Sequence, residues 1–116
     1  MKIRAAVLDR MQQAAPYAQS RPVSVETVHL GDPGIGEVRV RITAAGLCHS
    51  DLSIINGDRP RPMPMVLGHE AAGIVDACGP GVTDLARGDA VALVFVPSCG
   101  HCGPCQEGRP ALCEPG

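Results

Sequence analysis

Four cysteines fall within one short segment, Cys99-Gly-His-Cys102-Gly-Pro-Cys105, closed by Cys113. Zinc takes four soft or borderline ligands in a tetrahedron, and a C-x2-C turn brings two sulfurs to one ion. Two such turns share Cys102, and Cys113 completes the shell. Gly100, Gly103 and Pro104 permit the tight backbone path. Four thiolates leave no open position, so residues 97–114 are expected to form a structural zinc lobe. Unrelated thiols or a redox C-x-x-C pair are the other readings, and four cysteines so close together disfavour both. His101 is expected to be exposed on the loop rather than to replace a sulfur.

The rest of the chain makes such a staple useful. Its 116 residues suffice for one domain with a modest core. Aromatics make up only 2%: Tyr17, Phe95 and no tryptophan. Aliphatic side chains must therefore build the core, and each buries little area. The net charge is −2, with no basic patch, so nucleic acid is not an expected partner. The apolar stretch before Asp9 is too short for a signal-peptide core. No apolar run approaches the roughly 18 residues of a membrane span. The expectation is a cytoplasmic chain without a membrane partner. In that reducing compartment its six cysteines are metal ligands or free thiols rather than disulfides.

Fourteen glycines and eleven prolines divide the chain into short segments, the pattern of a mainly β protein. Val38 to Ile42 alternates apolar and charged, as a half-buried strand does. Val23 to Leu30 alternates less cleanly and reads as a strand with a bulge. Ile3 to Leu8, Ala71 to Cys78 and Ala90 to Val96 read as buried strands. His49 to Asn56 reads as a two-turn helix stopped by Gly57. Prolines 60, 62 and 64 enforce an extended loop from Asp58. Cys78 lies in an apolar run and reads as an inert buried thiol.

Cys48-His49-Ser50-Asp51 precedes Gly68-His69-Glu70 by some twenty residues. Cys48 and His69 could share a zinc ion with a vacant position, as a catalytic site requires. Taken alone, they read more readily as a buried thiol and a satisfied core histidine. The string Gly68-His69-Glu70-Ala-Ala-Gly73, followed by Gly79 and Val82, resembles the signature of the zinc-containing alcohol dehydrogenases. That family belongs to the medium-chain dehydrogenase/reductase superfamily. Gly46-Leu47-Cys48-His49-Ser50-Asp51 before the string, and the four-cysteine lobe after it, occur there in the same order.

The resemblance implies a GroES-like, partly open β-barrel with short helices and a zinc lobe, spanning 1–116 and truncated. It assigns Cys48 and His69 to a catalytic zinc, with Glu70 beside the metal as a transient ligand. It makes Asp51 the hydrogen-bond partner of the ligand histidine, Ser50 the acceptor of the substrate's proton, and His49 a contact of the cofactor pyrophosphate. Phe95 corresponds to a residue of the substrate channel, with a core aromatic as the other reading. Ser53 departs from the family, where a histidine passes the proton onward. Arg59 is read as a solvated loop residue rather than a guide for anionic substrates.

The implied activity is NAD- or NADP-dependent oxidation of a small-molecule alcohol to an aldehyde or ketone, by a protein that is a homo-oligomer at full length. No G-x-G-x-x-G fingerprint is present. In the family the Rossmann cofactor domain and a third catalytic-zinc ligand lie further along the chain, so this chain alone is expected to be inactive. A stand-alone structural zinc module is the alternative, but it leaves Cys48, His69 and Glu70 unexplained. A co-chaperonin-like ring would need neither motif. A zinc-independent quinone or enone reductase would lack both sets of ligands.

Overall fold

A computed structural model describes residues 1–116. Strand β1 (Lys2–Leu8) is followed by the single-turn helix α1 (Tyr17–Ser20), β2 (Val23–His29) and β3 (Val38–Ala45). Helix α2 (His49–Asn56), the two-residue β4 (Met65–Val66), β5 (Ala71–Cys78) and β6 (Ala90–Leu93) come next. A short helix α3 (Gly103–Gln106) and a 3-10 turn (Pro110–Leu112) close the order. The chain is mainly β, with two antiparallel three-stranded sheets ordered β2-β1-β4 and β3-β5-β6. The sheets do not join, so the barrel expected from the resemblance is open in this chain.

Local chemistry explains the elements. β1 and β2 pair without interruption from Lys2↔His29 to Leu8↔Val23, so the bulge expected in β2 is absent. The irregularities lie instead in β3, where the register with β5 shifts between Arg39 and Val40 and again between Ile42 and Ala44. Such shifts bend a strand. They also let β3 run on past Ile42 to Ala45 and deliver Cys48. β6 ends at Leu93, short of the expected Val96. Helix α2 has the expected bounds, and Gly57 ends it at φ 86, a left-handed conformation that glycine adopts without a Cβ clash.

The core is small. Only Val7, Leu8, Ile54 and Val75 are buried hydrophobics, while Ile35, Leu47, Val94 and Phe95 are largely exposed. The radius of gyration is 16.5 Å, against about 13 Å for a compact chain of 100 residues. The open sheets thus leave much apolar surface uncovered by the chain's own residues. Cys78, expected to be buried, is exposed, because it ends β5 at the sheet margin, where its thiol meets the Leu85 carbonyl at 3.6 Å.

Gly79 ties the sheet to the turn before β3. Its N–H donates to the Glu37 carbonyl at 2.8 Å, and a Cβ there would collide with the Gly34 carbonyl. Gly79→Ala must push two backbone segments apart, so it is expected to cost about 1–3 kcal/mol. Thermal unfolding of the full-length protein checks this, and a Tm equal to wild type would refute the close approach.

Candidate functional site

The lobe brings its four sulfurs together. Those of Cys99, Cys102, Cys105 and Cys113 all lie within 4.8 Å of one another. None of the six cysteines is in a disulfide. Backbone amides aim at the sulfurs: Cys99 N–H donates to Cys113 Sγ at 3.2 Å, and the His101 and Cys102 N–H groups donate to Cys99 Sγ at 3.4 and 3.3 Å. Such donors favour thiolate over thiol. The His101 and Cys102 amides lower the Cys99 pKa. The Glu114 and Cys105 amides bring Cys102 down to about 6. Desolvation, then the neighbouring sulfurs of Cys102 and Cys113, pushes Cys105 up to about 11. Sulfurs sharing a zinc ion at about 2.3 Å would stand about 3.8 Å apart in a tetrahedron, so the cluster fits that metal. His101 is exposed, as expected.

A second group assembles at the start of α2. Cys48 Sγ, a His69 ring nitrogen and a Glu70 carboxylate oxygen lie within 4.8 Å of one another. They come from two separated segments: Cys48 is the N-cap of α2, and His69 and Glu70 immediately precede β5. Glu70 is fixed by its backbone, whose carbonyl accepts from Gly46 N–H at 2.8 Å. One sulfur, one nitrogen and one oxygen form a donor set that suits zinc.

Asp51 joins the two segments. It is only 8% exposed. One of its oxygens faces the Cys48 N–H at 3.4 Å, and the other accepts from Gly68 N–H at 3.4 Å. That second oxygen also meets His69 Nδ1 at 3.4 Å. A carboxylate acceptor at Nδ1 favours the proton on that nitrogen, which leaves the Nε2 lone pair free. The Nε2 atom lies 3.1 Å from Ser50 Oγ. The resemblance anticipated Asp51 beside His69; its grip on Cys48 and Gly68 went unforeseen. The spacing Cys48-x-x-Asp51 carried that signal, because an acid at the third helical position reaches back to the N-cap amide.

The other residues singled out fall around this group. Phe95 stands edge-on to the His69 ring, with centroids 5.7 Å apart. It is 70% exposed, so the core-aromatic reading is wrong. With Val94, Val96, Pro110 and Ala111 it lines a recess of about 380 Å³ that has Glu70 at its edge. Pro110 and Ala111 belong to the cysteine lobe, which therefore supplies one wall; nothing in the sequence pointed to that. His49 is exposed at the first turn of α2. Ser53 Oγ donates to the His49 carbonyl at 3.3 Å, so its hydroxyl is engaged with the helix backbone. The Arg59 side chain is exposed, and its N–H donates to the Ser53 carbonyl at 3.2 Å.

Comparison with known proteins agrees with this architecture. The alcohol dehydrogenase GroES-like domain matches residues 34–116. The NDMA-dependent alcohol dehydrogenase of Amycolatopsis methanolica is 44% identical over the whole chain, which spans 29% of that relative. The crystal structure of an alcohol dehydrogenase zinc-binding domain protein from Burkholderia ambifaria superposes with a TM-score of 0.81 at 40% identity, covering 98% of this chain and 28% of that one. A zinc-binding dehydrogenase from Sinorhizobium meliloti 1021, solved bound to NADP, gives a TM-score of 0.73 at 32% identity over 98% of this chain and 31% of its own. The chain thus spans less than a third of the length of these proteins. No helix is long and apolar enough to cross a membrane. With its fold, its motifs and a family match over most of its length, this chain belongs to the alcohol dehydrogenase GroES-like domain family, in the medium-chain dehydrogenase/reductase superfamily.

Proposed function

We propose that the chain is the N-terminal catalytic portion of a zinc-dependent alcohol dehydrogenase that oxidises small-molecule alcohols to aldehydes or ketones with NAD or NADP. The observation that carries this reading is the Cys48–His69–Glu70 group with Ser50 and Asp51 packed against His69. A purely structural zinc module would need only the lobe. In this reading residues 1–116 are one truncated GroES-like domain containing the lobe at 97–114. The nicotinamide cofactor is held by a domain beyond this chain, with His49 at its pyrophosphate. The NADP bound to the related dehydrogenase supports a nicotinamide cofactor without choosing between the two forms.

Cys48 and His69 would hold the catalytic zinc, with Glu70 as an additional, transient oxygen ligand. Zinc supplies Lewis acidity toward an alcohol or carbonyl oxygen. The chain's own residues prepare the site. Asp51 holds the His69 tautomer and keeps the two ligand segments in register. Ser50 offers a hydroxyl within one hydrogen bond of that centre and accepts the substrate's proton. Phe95 and the apolar recess offer an apolar surface to the carbon chain of the substrate. The Ser53 hydroxyl is engaged with the His49 carbonyl, so Ser53 would not carry the proton onward and Ser50 would pass it to solvent.

Turnover tests the reading. The full-length protein with NAD or NADP and a series of primary and secondary alcohols is expected to reduce the cofactor, with kcat of about 1–10³ s⁻¹. Chelation is expected to abolish turnover and added zinc to restore it. The 116-residue chain alone is expected to show none. Full turnover by metal-free protein would overturn the proposal.

A further inference from the structure

Residues 9–21, which connect β1 to β2, form a strap over the C-terminal end of α2. A helix leaves its last four carbonyls without partners inside the helix. In α2 these belong to Ser53, Ile54, Ile55 and Asn56. The turn that follows supplies the first two: Asp58 and Arg59 N–H donate to the Ser53 carbonyl at 2.9 and 3.2 Å, and Gly57 N–H donates to the Ile54 carbonyl at 3.0 Å. The third partner comes from more than forty residues upstream, where Gln12 N–H donates to the Ile55 carbonyl at 2.8 Å. The half-buried Tyr17 hydroxyl then bonds the Asn56 side-chain oxygen. A Cβ at Gly57 would meet Gln12 Nε2 at 2.7 Å, so the strap lies directly on the helix cap.

The strap's backbone shows that this contact is specified. Gln12 has φ 57 and Arg21 has φ 46, and they are the only non-glycine residues with positive φ. A residue with a Cβ persists there only where its surroundings fix it. One such residue stands near each end of the strap, and Gln12 is itself the donor to Ile55. Helix α2 has eight residues, about 12 Å, and a helix this short is not stable by itself. Two ends hold it: Asp51 at the start and the strap at the finish. Between them only Ile54 is a buried hydrophobic.

We propose that the strap is a positioning element for the site. Tyr17 and Gln12 fix the far end of α2, and so set how Ser50 and Asp51 at its near end meet His69. The mechanical part of this proposal rests on the contacts above. Its effect on turnover rests on the catalytic reading of Ser50.

The experiment compares full-length, zinc-loaded wild type with Tyr17→Phe, Asn56→Ala and the double variant, using amide hydrogen exchange and steady-state kinetics. Exchange is expected to quicken about five- to tenfold in residues 48–51 and 66–69 as well as in 54–58, while β5 keeps its protection. Turnover should fall about five- to tenfold in kcat, with KM for the alcohol within about twofold. Both single variants break the Tyr17–Asn56 bond, and Asn56→Ala also removes the Asn56 Nδ2–Asp58 bond at 3.4 Å, so the double variant should be no worse than Asn56→Ala. Acceleration confined to 54–58 would overturn the proposal, since the strap would then be a local clasp. Equal acceleration throughout β5 would also overturn it, since the variants would then only weaken the fold. Ser50→Ala, measured alongside, separates the two layers. If it leaves turnover unchanged while exchange still propagates to 66–69, the catalytic reading fails and the mechanical coupling stands.

Discussion

Replacing Cys102 by serine is expected to remove the lobe's zinc and to unfold residues 97–114. Cys102 is shared by both C-x2-C turns, and its sulfur lies within 4.8 Å of the other three. A hydroxyl is a poor substitute for a thiolate at a soft site. The lobe has little else to hold it: its helical pieces are α3 and a three-residue 3-10 turn, and no residue in either is buried. Zinc binding in such small sites is worth about 10–16 kcal/mol at neutral pH, far more than those turns could supply. The 116-residue chain should carry about one tightly held zinc, and Cys102→Ser about none. Elemental analysis after desalting measures this directly. Full retention of zinc by the serine variant would refute a four-sulfur site.

The pH dependence of that zinc follows from the sulfur environment. Backbone amides hold Cys102 down to about 6, so it already favours the thiolate at neutral pH. Cys105, raised to about 11, must give up its proton to a metal. Zinc uptake therefore releases protons, and zinc affinity must fall as the pH is lowered. Loss of the lobe also removes Pro110 and Ala111 from the recess beside Phe95. A structural lesion should consequently reach the substrate pocket of the full-length protein.

The second large effect belongs to Ser50. Ser50→Ala in the full-length protein is expected to lower kcat about 10²–10³-fold, the range for loss of a positioned proton-transfer group. The half-buried hydroxyl meets His69 Nε2 at 3.1 Å. The Asp51 contacts that hold His69 and Cys48 do not involve this hydroxyl, so zinc content and Tm should stay near wild type. Ser50→Thr keeps a hydroxyl and should recover much of the rate. A loss of both zinc and rate would assign Ser50 to supporting the centre; an unchanged rate would remove it from the mechanism.

Much of the site was legible because its chemistry is encoded locally. Cysteines spaced by two residues meet one ion whatever lies around them. Helix α2 ran from His49 to the Gly57 stop because a left-handed cap is a one-residue decision. The expected bulge in β2 and the strand run to Val96 failed for a related reason. Bulges and strand ends are set by the partner strand, and no partner is visible in one segment's pattern. Cys78 was misjudged in the same way: an apolar run shows what can be buried, whereas sheet position shows what is.

The amino-acid sequence by itself determined the four-cysteine lobe, the short helix and the mainly β character, since each depends on residues close to one another in the chain; the grouping of Cys48 with His69 and Glu70 joins separated segments and was legible only through the family resemblance. Only the tertiary structure decided that Asp51 grips Cys48, Gly68 and His69 together, that the lobe walls the recess beside Phe95, and that a strap holds the far end of α2. Apart from the Cys48 contact, which spans one helical turn, these contacts join residues 17 to 43 positions apart or approach Glu70 from a separate lobe. Their geometry follows from the register of β3 on β5 and the path of the β1–β2 connection, which local spacing does not specify.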